Sequence, residues 1–351
     1  GFLPLCTDNL PDVSVNPKEN FQAVLYPGTG VTNPITVGFK PDFTWMKNVY
    51  RTGGYGHYLF DTVRGAGRAV FPDLNNAEYY YPVDHLTSFD PNGFTVSGSS
   101  AGSNDPSDTY ITWNLKAGGD AVANNDGSLP SMVSANKDMG FSVVGYTGQG
   151  GTKDFGHGLG VPPSMVIVKN RTDASSWYVF LDIPGVSSGN GYMLLDFAET
   201  FRTNPDVWQG KTGTDKVLYV GNENNVNGLG KEYIAYCFAN TDMLQVGSYK
   251  GNGLDNGPMI SLPFKPAFTL IKCTEQDGGS WAMFDNARNP VNIVDEALFA
   301  DGDWPESSKD HLDFLSNGAK IRIANNSINY PSKNHIFLAI SEETFKHARG
   351  R

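Results

Sequence analysis

A five-residue phrase occurs three times in this chain. Tyr26-Pro27-Gly28-Thr29-Gly30 returns as Tyr146-Thr147-Gly148-Gln149-Gly150 and again as Tyr249-Lys250-Gly251-Asn252-Gly253. Each phrase is followed by a segment that starts at a proline and reaches a lysine six residues later: Pro41 to Lys47, Pro163 to Lys169 and Pro266 to Lys272. The tyrosines lie 120 (146 − 26) and 103 (249 − 146) residues apart. Solenoid repeats run at about 20 to 50 residues, so this spacing describes tandem copies of a small domain. Such arrays suit a spacer or an adhesin.

The repeats divide 351 residues into a lead-in arm at 1–20, a first repeat at 21–116, a linker with a hairpin at 117–140, a second repeat at 141–240 and a third at 244–351. The three prolines of the lead-in, Pro4, Pro11 and Pro17, predict an extended arm, because proline removes a backbone donor and restricts its predecessor. Within each repeat, short aromatic and β-branched runs alternate with Gly-rich turns, an all-β pattern. The expected fold class is all-β: three tandem antiparallel β-sandwich modules, jelly-roll or concanavalin-like, of about 100 residues each. A three-bladed propeller is the alternative, although its blades use only about 40 to 50 residues. The run Met165–Val168 reads as a strand buried on both faces. Asp295–Ala300 is the best helical stretch.

The net charge of −11 argues against nucleic acid, which selects clustered Lys and Arg, and against an anionic membrane surface. No apolar run reaches the length of a membrane helix, and membrane insertion is not expected. Cys6, Cys237 and Cys273 are too few and too scattered for a disulfide framework or a zinc site; buried, inert thiols in a reducing cytoplasm are expected. The first residues lack a signal-peptide pattern and an initiator methionine, as in a processed product or the end of something longer.

Searches for chemistry return little. The six histidines form no metal-ligand spacing, and neither a serine-hydrolase elbow nor a phosphate loop is present. No cofactor, metal or catalytic residue is assigned. Glu78 with Asp84, or Asp301 with Asp303 and Glu306, could form the paired carboxylates of a glycan-cleaving enzyme, or a calcium loop at Asp301. The recurring pairs Asp61/Arg64 and Asp285/Arg288 are read as turn-holding ion pairs. The second repeat is aligned on Asp182, where the Arg is lost. Lys47, Lys169 and Lys272 are read as solvated strand ends or local ion pairs. Tyr79, Tyr80 and Tyr81 cannot all point inward from one strand, so a ring should face solvent, a sugar or a subunit partner.

Several stretches taken together resemble a repeat domain of tail-fibre-like structural proteins of tailed bacteriophages, especially those of marine hosts. They are Gly38–Asn48, Phe60–Gly65, Asn125–Asn136, Gly156–Gly160 and Ser341–Arg349. The resemblance implies a non-enzymatic virion structural protein made in the host cytoplasm, a tail fibre or tail-tip component with a host-attachment role. Its partners would be other virion structural proteins, further copies of the chain (a trimer among the options) and a host-surface glycan or protein. Capsid decoration or a head fibre is the alternative, and glycan depolymerase a third reading.

Overall fold

The computed structural model describes residues 15–51 and 55–344. The lead-in up to residue 14 lies outside the described residues. The chain is all-β and antiparallel; the α-helices among the described residues are two single turns, Pro205–Trp208 and Asn224–Asn227.

Each repeat builds the same four-stranded sheet. The opening strands are Phe21–Pro27, Phe141–Thr147 and Leu244–Lys250. The lysine strands are Phe43–Asn48, Met165–Asn170 and Phe264–Cys273. Return strands follow at His57–Asp61, Tyr178–Ile183 and Ala282–Asp285. The closing strands are Thr109–Leu115, Glu232–Phe238 and Asn334–Thr344. In all three the spatial order is opening, closing, lysine, return.

The repeated phrase is the lock of this sheet. Its tyrosine pairs across to the first residue of the closing-strand motif: Tyr26 with Tyr110, Tyr146 with Tyr233 and Tyr249 with His335. These rings stack at 5.3, 5.1 and 5.1 Å. The tyrosine hydroxyl donates to the carbonyl of Ser103, Val226 or Ile328. The next residue is an asparagine every time, Asn104, Asn227 or Asn329. Its carboxamide oxygen accepts from the backbone N–H of Thr29, Gln149 or Asn252 inside the phrase. The first glycine is required by close approach: a Cβ on Gly28, Gly148 or Gly251 would lie 2.0 to 2.4 Å from a backbone oxygen just after that asparagine. The second glycine, Gly30, Gly150 or Gly253, has φ near +70°, where side chains are strained.

Both faces of the sheets are buried. Successive side chains of a strand point to opposite faces. In the second lysine strand Val166 and Val168 join a core belonging to that repeat, while Met165 and Ile167 join a second core. That second core is common to all three repeats. It gathers Phe43, Trp45 and Trp113 from the first, Met165, Ile167 and Tyr236 from the second, and Phe268, Leu270 and Leu338 from the third. The repeats are consecutive in the chain but surround one apolar centre in space.

On the outer face each repeat carries smaller elements. Asn33–Thr36, Gly93–Ser97 and His85–Asp90 form a three-stranded sheet in the first. Lys153–Gly156 pairs with Val217–Val220 in the second, and Met259–Ser261, Gly318–Ile321 and Ser307–Leu315 pair in the third. Within residues 117–140, Val122–Asn124 pairs with Ser131–Asn136, which pairs in turn with the second opening strand and widens that sheet. Two expectations fail. The stretch expected to be helical is a strand, Val294–Phe299, because its backbone pairs on both sides with neighbouring strands. The three recurring lysines are not solvated: Lys47, Lys169 and Lys272 are fully buried.

Candidate functional site

The seams between repeats close in a ring, and the lysine strands organise them. The residue two positions after each lysine offers its carbonyl to the neighbouring repeat. Glu78 N–H donates to Arg171 O at 3.0 Å, Phe201 N–H to Thr274 O at 2.8 Å and Glu306 N–H to Val49 O at 3.0 Å. The first repeat thus binds the second, the second binds the third and the third returns to the first. A second set repeats the cycle through rings at the start of the return strands. Trp177 Nε1 donates to Phe71 O and Trp281 Nε1 to Leu194 O, both at 2.8 Å, and His57 Nε2 lies 2.9 Å from Phe299 O.

Two of the buried lysines, Lys47 and Lys169, bond across these seams, and Lys272 caps its own strand end. Lys47 Nζ donates to the carbonyls of Asn48, Tyr55 and Asp303, Lys169 Nζ to those of Asn75 and Ser175, and Lys272 Nζ to Cys273. Burial lowers each to about 8, against the pull of nearby carboxylates such as Asp73, Asp196 and Asp301. Those three aspartates are themselves equivalent: each accepts from the N–H that starts a return strand, at His57, Trp177 or Trp281.

The recurring Asp/Arg pairs lie at the same seams. Arg64 donates from its backbone N–H and its Nε to Asp61, at 2.8 and 2.6 Å. Arg288 does the same to Asp285, at 2.9 and 2.8 Å. Each aspartate also takes a bond from a neighbouring repeat: Tyr236 Oη to Asp61 at 2.8 Å, and Trp113 Nε1 to Asp285 at 3.1 Å. The second repeat departs from the alignment on Asp182. Met165 pairs with Leu181, as Phe43 pairs with Asp61 and Phe268 with Asp285, so Leu181 holds the equivalent position. The closing-strand residue equivalent to Trp113 and Tyr236 is Leu338. The third seam thus replaces a polar contact by two leucines of the common core.

Of the candidate paired carboxylates, Glu78 and Asp301 are held by neighbouring groups. Burial would raise Glu78, but Arg171, Arg64 and Arg68 outweigh it and hold the group below the usual range. Asp301 accepts from Trp281 N–H at 2.9 Å. Glu306 occupies the position of Glu78 in the third repeat, and its ion pair, to Arg288, is longer at 3.6 Å. Burial, then the neighbouring Glu296, raise it to about 7. Among the described residues no group of three or more His, Cys, Asp or Glu is placed to hold a metal ion, and no helix is long and apolar enough to cross a membrane. Cys237 and Cys273 are buried free thiols, pushed up by burial; Cys6 lies outside the described residues.

The tyrosine run projects from the first seam. Tyr79–Tyr80 pairs with Arg68–Ala69. Tyr79 and Tyr80 are 57% and 53% exposed, and Tyr81 is half-buried. The rings continue inward: Tyr79 to Tyr81 at 4.5 Å, Tyr81 to His85 at 4.2 Å and His85 to Tyr58 at 4.6 Å. The Arg68 guanidinium lies 5.1 Å over the Tyr80 ring and donates to Glu78 at 3.0 Å. His85 and Tyr58 were not singled out in the sequence: a lone histidine and a strand tyrosine carry no local signal, and only the folded register brings them beside Tyr81.

The fold is all-β, and the first repeat presents an exposed aromatic face. A family model described as a domain of unknown function, DUF7483, matches residues 16–344, and the chain belongs to that family. No curated protein matches the chain.

Proposed function

We propose that this chain is a virion structural protein, a tail-fibre or tail-tip component that attaches to the host surface. In this reading each repeat is a sandwich unit of jelly-roll kind whose inner sheet is shared with the common core. The carrying observation is the closed ring of seam bonds around that core. A closed ring of this kind ties the three repeats into one stiff unit, which suits a load-bearing part. The resemblance of the repeat segments to tail-fibre-like proteins supports the location, and the exposed tyrosines support attachment.

The partners in this reading are other virion proteins and a host-surface glycan or protein. Further copies of the chain, as a trimer, are part of the same proposal, and weak sites repeated on one particle would gain avidity through effective concentration. Sedimentation of the purified chain tests self-association. Immunogold labelling of intact particles tests the location: label at the tail periphery supports attachment, label over the head replaces it with decoration, and absence from any particle overturns the viral reading.

A further inference from the structure

We propose that the ladder Tyr79–Tyr81–His85–Tyr58, with Tyr80 beside it, is a stacking site for a neutral saccharide. The inference deepens the attachment reading above and rests on it for its biological purpose, not for its geometry.

The repeats supply an internal control. Strand pairing equates Tyr79-Tyr80 with Arg202-Thr203 in the second repeat and Ser307-Ser308 in the third. In each case the preceding residue, Glu78, Phe201 or Glu306, makes the same seam bond. The fold therefore accepts Arg, Thr or Ser at these positions, and two exposed aromatic rings in the first repeat answer no structural demand. Arg68 holds one of them from its own strand and is itself neutralised by Glu78.

The inner end of the ladder is built, too. His85 is 3% exposed, sits at φ +60° and has an Nδ1 with no hydrogen-bond partner. Non-glycine residues at positive φ are uncommon and cluster where surrounding structure over-determines them. Packed between Tyr81 and Tyr58, the buried ring fixes the foot of the stack and so holds the outer rings in place for a ligand lying on them. Burial lowers His85 to about 4, so the ring is neutral and does not attract an anion. Asp84 adjoins it, and the chain as a whole carries −11, which disfavours acidic polysaccharides. Apolar ring faces with hydroxyl-competent edges and no free cation match a neutral sugar.

The test uses the full chain with cellohexaose, maltohexaose and chitohexaose as probes, by titration calorimetry and saturation-transfer NMR. The variant is Tyr79→Ser with Tyr80→Ser, residues that the third repeat already carries in the same strand, so folding is preserved; a second variant, Tyr79→Arg with Tyr80→Thr, copies the second repeat. Binding of at least one probe by the native chain, weakened about tenfold or more in both variants, supports the site. No binding to any probe, or equal binding by native and variant chains, overturns it. Virions carrying the variant separate the two readings: lost saccharide binding with unchanged adsorption to cells keeps the site and rejects its role in attachment.

Discussion

At Asn104, Asn227 and Asn329 one carboxamide holds a whole turn. The buried Asn227 accepts from Gln149 N–H and donates to the carbonyls of Gly151 and Gly221, the last of these bonds being fully enclosed. Losing it leaves buried backbone groups unpaired, at about 1 to 3 kcal/mol each for those that water cannot reach. Asn227→Ala should therefore destabilise the chain by about 2 to 4 kcal/mol in urea unfolding. Glu306 gives a pH-dependent case. Its folded value near 7 lies above the ordinary glutamate value of about 4.3. The folded state then holds the extra proton between those limits, so stability falls as pH rises through that window and is flat above it. Glu306→Gln should remove this loss and gain on the order of 1 kcal/mol at pH 8 over the native chain, after allowance for solvent screening, with little gain at pH 4.5. Thermal melts at the two pH values check it. The repeated tyrosine, glycines and lysine are visible in the sequence because they recur at fixed spacing. The partner asparagine of the third repeat is less so: Asn325, Asn326 and Asn329 crowd together, and only the turn geometry selects Asn329.

The sheet register decides what a side chain meets, and a one-residue slip moves it to the other face. That is why an alignment on Asp182 misleads: the second repeat has one more residue between its return-strand tryptophan and the aspartate, and Leu181 takes the inward place. At this one position the contacts are thereby polar, polar and apolar, while the backbone and ring bonds between repeats are kept at all three seams. Tyr236→Phe removes one bond to Asp61 but leaves Arg64 paired with it, so a loss of about 1 to 2 kcal/mol is expected. Leu181→Asp puts a carboxylate into the apolar common core and should cost several kcal/mol as a buried unpaired charge. Denaturant titrations of the two variants, run side by side, would reveal the asymmetry; equal effects would contradict the assignment of Leu181. The buried lysines are the element-scale feature least legible in sequence. A lysine at a strand end ordinarily reaches water, and only the approach of a neighbouring repeat encloses it.

All-β class and three repeats of about 100 residues follow from turn spacing and the recurring phrase, because both are local signals. Their arrangement does not. A strand buried on both faces is visible in Met165–Val168, but the sequence alone does not say whether the second face meets the same repeat or a shared centre. Six large rings, Phe43, Trp45, Trp113, Phe141, Tyr236 and Phe268, answer it by meeting in one cluster drawn from all three repeats. If the core is shared, no repeat can bury its inner face alone. The most direct test is to express residues 117–240, the second repeat with its added hairpin, and record its amide NMR spectrum and thermal melt. The shared core predicts collapsed spectra, dye binding to exposed apolar surface and no cooperative transition. A dispersed spectrum with a sharp melt would show a self-sufficient domain and contradict the account.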